Sequence, residues 1–335
     1  MTALTSIAPS IQFDIFTTVP QWFFAQSQPL AFTYHYLLTD IGLVQKTPFQ
    51  ADLPATVQRL RQLLPFDPAQ IRKLAEQLRR RDCALVICDI AAMGIQVARK
   101  AGVPSVLVEN FTWDWLYQGY DNKDLNEFNP YLQTIFAKAD VHIQSQPVCN
   151  AGAAHFKAAP ASRKIGTSGG NIRRKLGLPE NEKLVMITAG GVPKNYGFID
   201  KLPFASDVHF ILPGAADSET RRENVFLLPE NSAYFHPDLI NAADAVVGKV
   251  GYSTIAEIYQ AGVPFGYITR PENREMKPLV DFLENHMHGM PIDESDFQSG
   301  HFTKSLGKLL QMPRMGHTRA NGADQIARFI ISLLT

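Results

Sequence analysis

The sequence predicts an α/β protein made of two domains built to one plan, and three observations lead there. Apolar, strand-like runs alternate with helix-like segments along most of the 335 residues. The tetrapeptide Ala101-Gly102-Val103-Pro104 recurs as Ala261-Gly262-Val263-Pro264, each time after a strand and a helix and ahead of another strand. Between the two copies, residues 150–170 (NAGAAHFKAAPASRKIGTSGG) are rich in small residues and lack apolar periodicity, the composition of a linker. Two such βαβ units imply two mainly parallel sheets with helices on both faces.

Composition narrows the function. Lys plus Arg, at 32, equals Asp plus Glu, at 32, so there is no global basic field and nucleic acid is not an expected partner. Cys83, Cys88 and Cys149 form neither an even framework nor a CxxC pair, which argues against a disulfide scaffold and a zinc site and fits a reducing cytoplasm. The first residues lack the basic start and apolar core of a signal peptide, and no run reaches the roughly 18–20 apolar residues of a membrane span. Peripheral contact with a membrane needs only a surface patch and stays open.

In chain order, residues 1–9 are weakly helical and run into an apolar strand at 11–17. Residues 20–49 are irregular and aromatic-rich (Trp22, Phe23, Phe24, Phe32, Tyr34, His35, Tyr36), either the packing of a long connection or a platform for a ring. Helical spacing follows over 52–64 and 68–81, then the buried strand CALVIC at 83–88 with Asp89 at its end. A helix over 91–101 stops at Gly102, and a strand at 105–108 leads into Glu109-Asn110-Phe111-Thr112-Trp113-Asp114-Trp115. Residues 129–138 read as helix and 141–144 as strand. The second half restarts with a strand at 183–188, a sharp turn at Gly190-Gly191, and strands at 207–212 and 224–228. Helices are expected near 277–284 and 303–310. The last segment, 322–334, gathers Ile326, Phe329, Ile330, Leu333 and Leu334 on one face, which needs a surface to dock on.

The chemistry concentrates in residues 244–268, DAVVGKVGYSTIAEIYQAGVPFGYI. The reading is a strand at 244–247, a glycine turn at 248–251, a helix capped near Ser253 and Thr254, and a strand after Pro264. A glycine turn feeding a helix start gathers unpaired N–H groups and the positive end of the helix dipole, a natural anion site. Lys249 adds a cation, Ser253 and Thr254 add hydroxyls, and Glu257 lies one turn further on, able to accept two hydrogen bonds from a ribose diol. Thr254-x-x-Glu257 is equally a capping box that needs no ligand. It is not a Walker A loop, because Gly248-Lys249 precedes the turn.

The segment PENSAYFHPDLINAADAVVGKVGYSTIAEIYQAGVPFGYITRPENREMKPL resembles the C-terminal half of GT-B glycosyltransferases, and more narrowly glycosyltransferase family 28, the group that includes the N-acetylglucosaminyltransferase of lipid II synthesis. The likeness continues through Gly190-Gly191 and into VPSVLVENFTWDW. It implies two Rossmann-like, doubly wound domains with an inter-domain cleft: 1–160 on the acceptor side, 161–318 holding the nucleotide sugar, and a helix at 319–335 crossing back to the first domain. Gly251, Ser253 and Thr254 would then lie at the diphosphate, Glu257 at the ribose, and residues 227–229 near the base. Gly190 and Gly191 would let a loop approach the phosphates. Arg270, Arg274 and Glu275 would read the donor sugar, although Glu275 stands where the lipid II enzyme has glutamine, which leaves the sugar open.

Inverting transfer needs a base for the acceptor hydroxyl and stabilisation of the departing diphosphate. Asp89 and Glu109 end parallel strands of the first domain, where open α/β sheets present ligands, and are the candidate bases, with helix capping as the alternative for each. Asp114, between Trp113 and Trp115, is a third. His236-Pro237-Asp238 reads as a helix opening. No metal motif is present, so neither a metal nor another cofactor is expected. Relatives open with a strand and a Gly/His loop that have no counterpart here, so the acceptor side is expected to lack its first strand. The expected activity is metal-independent, inverting transfer of a hexosyl group from a nucleotide-diphosphate sugar, of uridine, to an unspecified acceptor. A non-catalytic nucleotide-sugar-binding or regulatory protein of the same fold is the second reading, and a sugar-nucleotide epimerase the third.

Overall fold

A computed structural model describes residues 1–27, 31–179, 181–189, 196–202, 207–316 and 319–334. The first half runs α1 (Thr2–Ile7), β1 (Phe13–Thr17), α2 (Gln21–Ala25), β2 (Phe32–Tyr36), β3 (Gln45–Thr47), β4 (Gln50–Ala51), α3 (Leu53–Leu63), α4 (Pro68–Arg80), β5 (Val86–Asp89), α5 (Ala92–Ala101), β6 (Ser105–Glu109), α6 (Trp113–Tyr117), α7 (Lys123–Asn126), α8 (Asn129–Phe136), β7 (Val141–Ser145) and β8 (Phe156–Ala158). The helix starts follow from local chemistry. Asp52 caps α3 by accepting from the Ala55 N–H at 3.0 Å, and Asp67 caps α4 by accepting from Ala69 at 2.9 Å. Both helices carry proline in the first turn, where its missing N–H costs nothing.

Parallel strands β5-β6-β7-β8 form a four-stranded sheet, and β1 and β2 form a separate parallel pair. Cys88, Ile95, Leu107 and Leu132 fill one face of the larger sheet. Val106 and Ile143 fill the other. The aromatic stretch over 20–49 is therefore not one irregular connection, since it contains α2, β2 and β3. The strand within CALVIC begins only at Val86 and takes in Asp89. The expected linker over 150–170 contributes β8 to the sheet.

The second half runs α9 (Gly169–Lys175), β9 (Lys183–Thr188), a 3-10 turn (Ile199–Lys201), β10 (Val208–Pro213), β11 (Thr220–Arg222), β12 (Val225–Leu228), α10 (His236–Ala242), β13 (Ala245–Lys249), α11 (Tyr252–Ala261), β14 (Phe265–Ile268), α12 (Met276–His286), β15 (Gly289–Pro291), α13 (Glu294–Ser299), a 3-10 turn (His301–Ser305), α14 (Leu306–Leu310) and α15 (Gly322–Leu334). Its seven strands order as β11-β12-β10-β9-β13-β14-β15, all parallel except β11. Alternate residues of the central strands feed two apolar layers, Leu184, Met186 and Val246 on one face and Val185, Ile187 and Val247 on the other. The helix read over 303–310 is shorter, a 3-10 turn followed by α14.

Helix α15 docks its apolar face on the first sheet. Ile326 and Ile330 join the layer of Val106 and Ile143, and Phe329 stacks on Phe156 with centroids 4.7 Å apart. Together the two sheets give an α/β protein with Rossmann-like halves. Among the described residues no helix is long and apolar enough to cross a membrane.

Candidate active site in the inter-domain cleft

The stretch expected to hold the anion differs in detail from its sequence reading. Strand β13 extends through Gly248 to Lys249, so the turn is only Val250-Gly251, and Gly251 itself is the N-cap of α11 with no side-chain cap bond. Ser253 and Thr254 stand inside the first turn rather than at the cap. The Thr254–Glu257 capping box is therefore not formed. Glu257 sits in the helix body, beyond the N3 position that a box requires. With no side chain capping it, the start of α11 leaves its first N–H groups facing forward, and no heavy atom lies within 4 Å of where a Cβ on Gly251 would be. Open space before a ten-residue helix end is what an anion needs.

Glu257 is buried, 6% exposed, and both of its oxygens are engaged. Arg163 Nε donates to Oε1 at 2.8 Å, and His236 Nδ1 lies 2.7 Å from Oε2. Burial alone would raise the carboxyl pKa, but His236 and then Arg163 outweigh it and hold the group below the usual carboxylate range. The Arg163 guanidinium lies over the rings of Phe23 and Phe235, at 4.7 and 5.0 Å. Beside it, Gln26 Nε2 donates to the Ser232 carbonyl at 3.3 Å, just past the 227–229 segment. Sequence reasoning missed both partners of Glu257. His236 read only as a helix opening, which it also is, and Arg163 lay in the linker. Their pairings span 21 and 94 residues, beyond the reach of local spacing.

The donor-sugar candidates are brought together, with their charges turned on protein. Arg270 Nη2 donates to Glu275 Oε1 at 2.7 Å, both residues buried, and Asn273 Nδ2 donates to the same oxygen at 3.1 Å. Burial raises the Glu275 pKa, while Arg270 and Lys249 pull against the rise. Arg270 Nε is buried with no hydrogen-bond partner among the described residues. Arg274 leaves this group altogether. Its guanidinium lies 4.3 Å over the Trp115 ring, and Nη1 donates to the Trp115 carbonyl at 2.7 Å, clasping one domain to the other. Gly190 and Gly191 lie outside the described residues.

The two candidate bases part company. Glu109 is 4% exposed and turned into the sheet, where Oε1 lies 2.6 Å from His142 Nε2 and accepts from Gln144 Nε2 at 2.9 Å. Oε2 is buried with no hydrogen-bond partner among the described residues, so it is burial more than bonding that keeps this carboxylate from an acceptor. Asp114 is likewise buried, and its Oδ1 has no partner among the described residues. Asp89 is instead exposed at the end of β5. It is nevertheless closely ringed by protein, and this desolvation, with the charge of Asp40 second, pushes its pKa up to about 6. The next residue, Ile90, has φ 58°, a left-handed conformation that β-branched side chains rarely adopt and that strained functional sites favour. Asp89 is also near enough to influence Tyr252, the first residue of α11. Tyr252 ties the halves together by donating to Ser145 Oγ at 2.5 Å and accepting from the Ala161 N–H at 3.2 Å. Among the described residues no group of three or more His, Cys, Asp or Glu could hold a metal ion.

Comparison with known proteins adds a family likeness. Residues 210–331, which span α11 and most of the second sheet, match the model of the glycosyltransferase family 28 C-terminal domain. That stretch is similar to family 28 C-terminal domains. Over 331 residues the chain is 23% identical to the L-arabinokinase of Arabidopsis thaliana, covering 97% of this chain and 32% of that protein. Over 237 residues it is 27% identical to the UDP-N-acetylglucosamine–N-acetylmuramyl-(pentapeptide) pyrophosphoryl-undecaprenol N-acetylglucosamine transferase of Bacillus licheniformis, covering 65% of this chain and 61% of that enzyme. The chain thus spans a third of the first relative and about three-fifths of the second. The calicheamicin glycosyltransferase CalG4 superposes with a TM-score of 0.66 at 12% identity, over 99% of this chain and 93% of that one. The chain as a whole has the GT-B fold, with Asp89 in the first half and α11 in the second.

Proposed function

We propose that this chain is a GT-B glycosyltransferase that moves a hexosyl group from a uridine-diphosphate sugar to an acceptor hydroxyl, with inversion and without a metal ion. The observation that carries the reading is the pairing across the cleft: an open, uncapped helix start at Gly251 on one side, and on the other a wetted carboxylate, Asp89, tuned to about 6. In this reading the diphosphate lies against the first N–H groups of α11 with Lys249 beside it, and the ribose diol takes Glu257. Because Arg163 and His236 hold that carboxylate in the free protein, the nucleotide competes with them or recruits them. Arg270, Asn273 and Glu275 present the polar surface for the sugar. Asp89 removes the proton from the acceptor hydroxyl as it attacks the anomeric carbon from the face opposite the diphosphate. The leaving group's growing charge is met by the helix end, a type of stabilisation worth several kcal/mol in water-poor sites, about 3 for a single donor. The uridine assignment leans on the donor named for the Bacillus licheniformis relative. Three unpaired cysteines agree with a cytoplasmic setting.

Calorimetric titration with UDP, ADP, GDP and TDP, followed by assay of UDP-sugar consumption in EDTA, tests the proposal. Binding of UDP above the others and turnover that survives chelation are expected. Absence of binding to any nucleoside diphosphate removes the reading. Binding without turnover favours a nucleotide-sugar-binding module. The Arabidopsis thaliana relative is the observation on that side, since nearly the whole of this chain corresponds to one third of a protein named for kinase activity.

A further inference from the structure

Side chains at the start of α10 are turned on Glu257 or on the chain that supports it. The helix opens after Phe235 with no side-chain cap bond, and Pro237 fills its first turn. The His236 ring makes one hydrogen bond among the described residues, from Nδ1 to Glu257 Oε2 at 2.7 Å. Phe235 lies under the Arg163 guanidinium, with its ring centroid 5.0 Å away. Asp238 Oδ1 accepts from the Gly166 N–H at 2.7 Å and from the Thr167 N–H at 3.0 Å, which pins the segment just after Arg163. The turn is thus a bracket. Through Phe235 and Asp238 it holds the chain that delivers Arg163 to Oε1, and through His236 it holds Oε2 directly.

The state of the carboxylate decides what such a bracket can do. Although burial works against it, His236 and then Arg163 keep the Glu257 carboxyl ionised at neutral pH. An ionised carboxylate only accepts, so Nδ1 carries the hydrogen of the His236 bond. Of the roughly four lone-pair sites of a carboxylate, Arg163 takes one on Oε1 and His236 one on Oε2, which leaves one on each oxygen. Two acceptor sites on neighbouring oxygens match the two neighbouring hydroxyls of a ribose. The last torsion of a glutamate is soft, so a single donor lets the group turn, whereas a donor on each oxygen fixes its plane. We propose that His236 is a positioning residue for the nucleotide: its Nδ1–H sets the plane of the Glu257 carboxylate, so that the remaining lone pair of each oxygen receives one hydroxyl of the ribose diol. The nucleotide then recruits the pairing of the free protein instead of displacing it. The inference rests on the reading in which Glu257 takes the ribose.

Calorimetric titration of the full chain with UDP and with 2′-deoxy-UDP tests it, because the ratio of the two affinities reads the diol alone. A defect that only loosens the fold weakens both nucleotides alike. The parent should bind UDP about tenfold tighter than 2′-deoxy-UDP, the worth of one hydrogen bond to a charged group. His236→Ala should narrow that ratio to about twofold or less, with 2′-deoxy-UDP bound nearly as in the parent. His236→Asn, whose amide nitrogen stands near the place of Nδ1, should restore most of the ratio. Should His236→Ala not fold, His236→Phe keeps a ring without the donor and makes the same test. A ratio equal to the parent's in His236→Ala or His236→Phe would overturn the proposal, and so would a ratio left unrestored by His236→Asn. A parent that binds both nucleotides equally would remove Glu257 from the ribose, and this inference with it, while leaving the transferase reading intact. Only a parent that binds no UDP would overturn both.

Discussion

The second sheet is continuous, and its four central strands are sealed on both faces. The first half divides its strands between the four-stranded sheet and the separate β1-β2 pair, and β1 and β5 stay partly open to water. One chain thus joins a half with one continuous sheet to a half with two, and the continuous one carries the uncapped helix start. A sheet buried on both faces fixes α11, and with it Glu257, whereas the partly exposed β5 carries Asp89 at its end. Binding of a donor and attack by an acceptor therefore rest on supports of unequal stiffness.

The largest effect that separates the halves should come from Asp89. Asp89→Asn should lower kcat by about 10²–10⁴ with little change in UDP affinity, and the parent's acid limb should fall near pH 6, set by the raised pKa. Stability should move the other way. The folded pKa lies above the ordinary aspartate value of 3.8, so the native state holds an extra proton in the window from there to about 6, and stability is lost as pH rises through it. Asp89→Asn should therefore melt above the parent at pH 8 and together with it at pH 4.

Packing gives the next contrast. Ile211, fully buried in β10, should cost about 2–5 kcal/mol as Ile211→Ala in urea unfolding. Ile15→Ala, in the half-buried β1, should cost about 1 kcal/mol or less. Equal costs would break the comparison. A smaller effect is expected at Glu257. Glu257→Ala should weaken UDP binding about tenfold and destabilise by about 2 kcal/mol, because Arg163 and His236 lose their partner. Since the Glu257 pKa is held low, its contribution is present above the ordinary glutamate pKa of 4.5 and fades as pH falls. Glu257→Gln should accordingly flatten the acid-side loss of stability. The smallest expected effect is Arg274→Ala, about 0.5–1 kcal/mol, lost from an exposed ring contact that joins the domains.

Much of the fold was legible because its signals are local. Strand β9 lies where its apolar run ends, and α3 and α4 begin at the aspartates that cap them. The candidate site was legible only in part. The spacing of Gly251 and Glu257 marked the right helix but not its first residue, because Tyr252 is drawn into the helix by its bond to Ser145, more than a hundred positions away in sequence. Glu109 and Asp89 end neighbouring strands and look alike in sequence. Only the cross-strand partners His142 and Gln144 reveal that one is locked inside the sheet. Arg163 and Arg274 are ordinary arginines until the chain folds and sets each against an aromatic ring.

The repeated tetrapeptide has come to serve two purposes. Both glycines end a helix in the left-handed region, Gly102 at φ 76° and Gly262 at φ 68°. Around Gly102 a Cβ would meet open space, whereas at Gly262 it would strike the Met315 carbonyl, and the Met315 N–H donates to the Gly262 carbonyl at 2.9 Å. The first copy is a plain stop. The second is a cleat over which the chain is made fast on its way back to α15. The tether that returns to the first domain is thus secured at the far end of the very helix whose other end faces the cleft, and a pull on either would be felt along ten residues of one rigid rod.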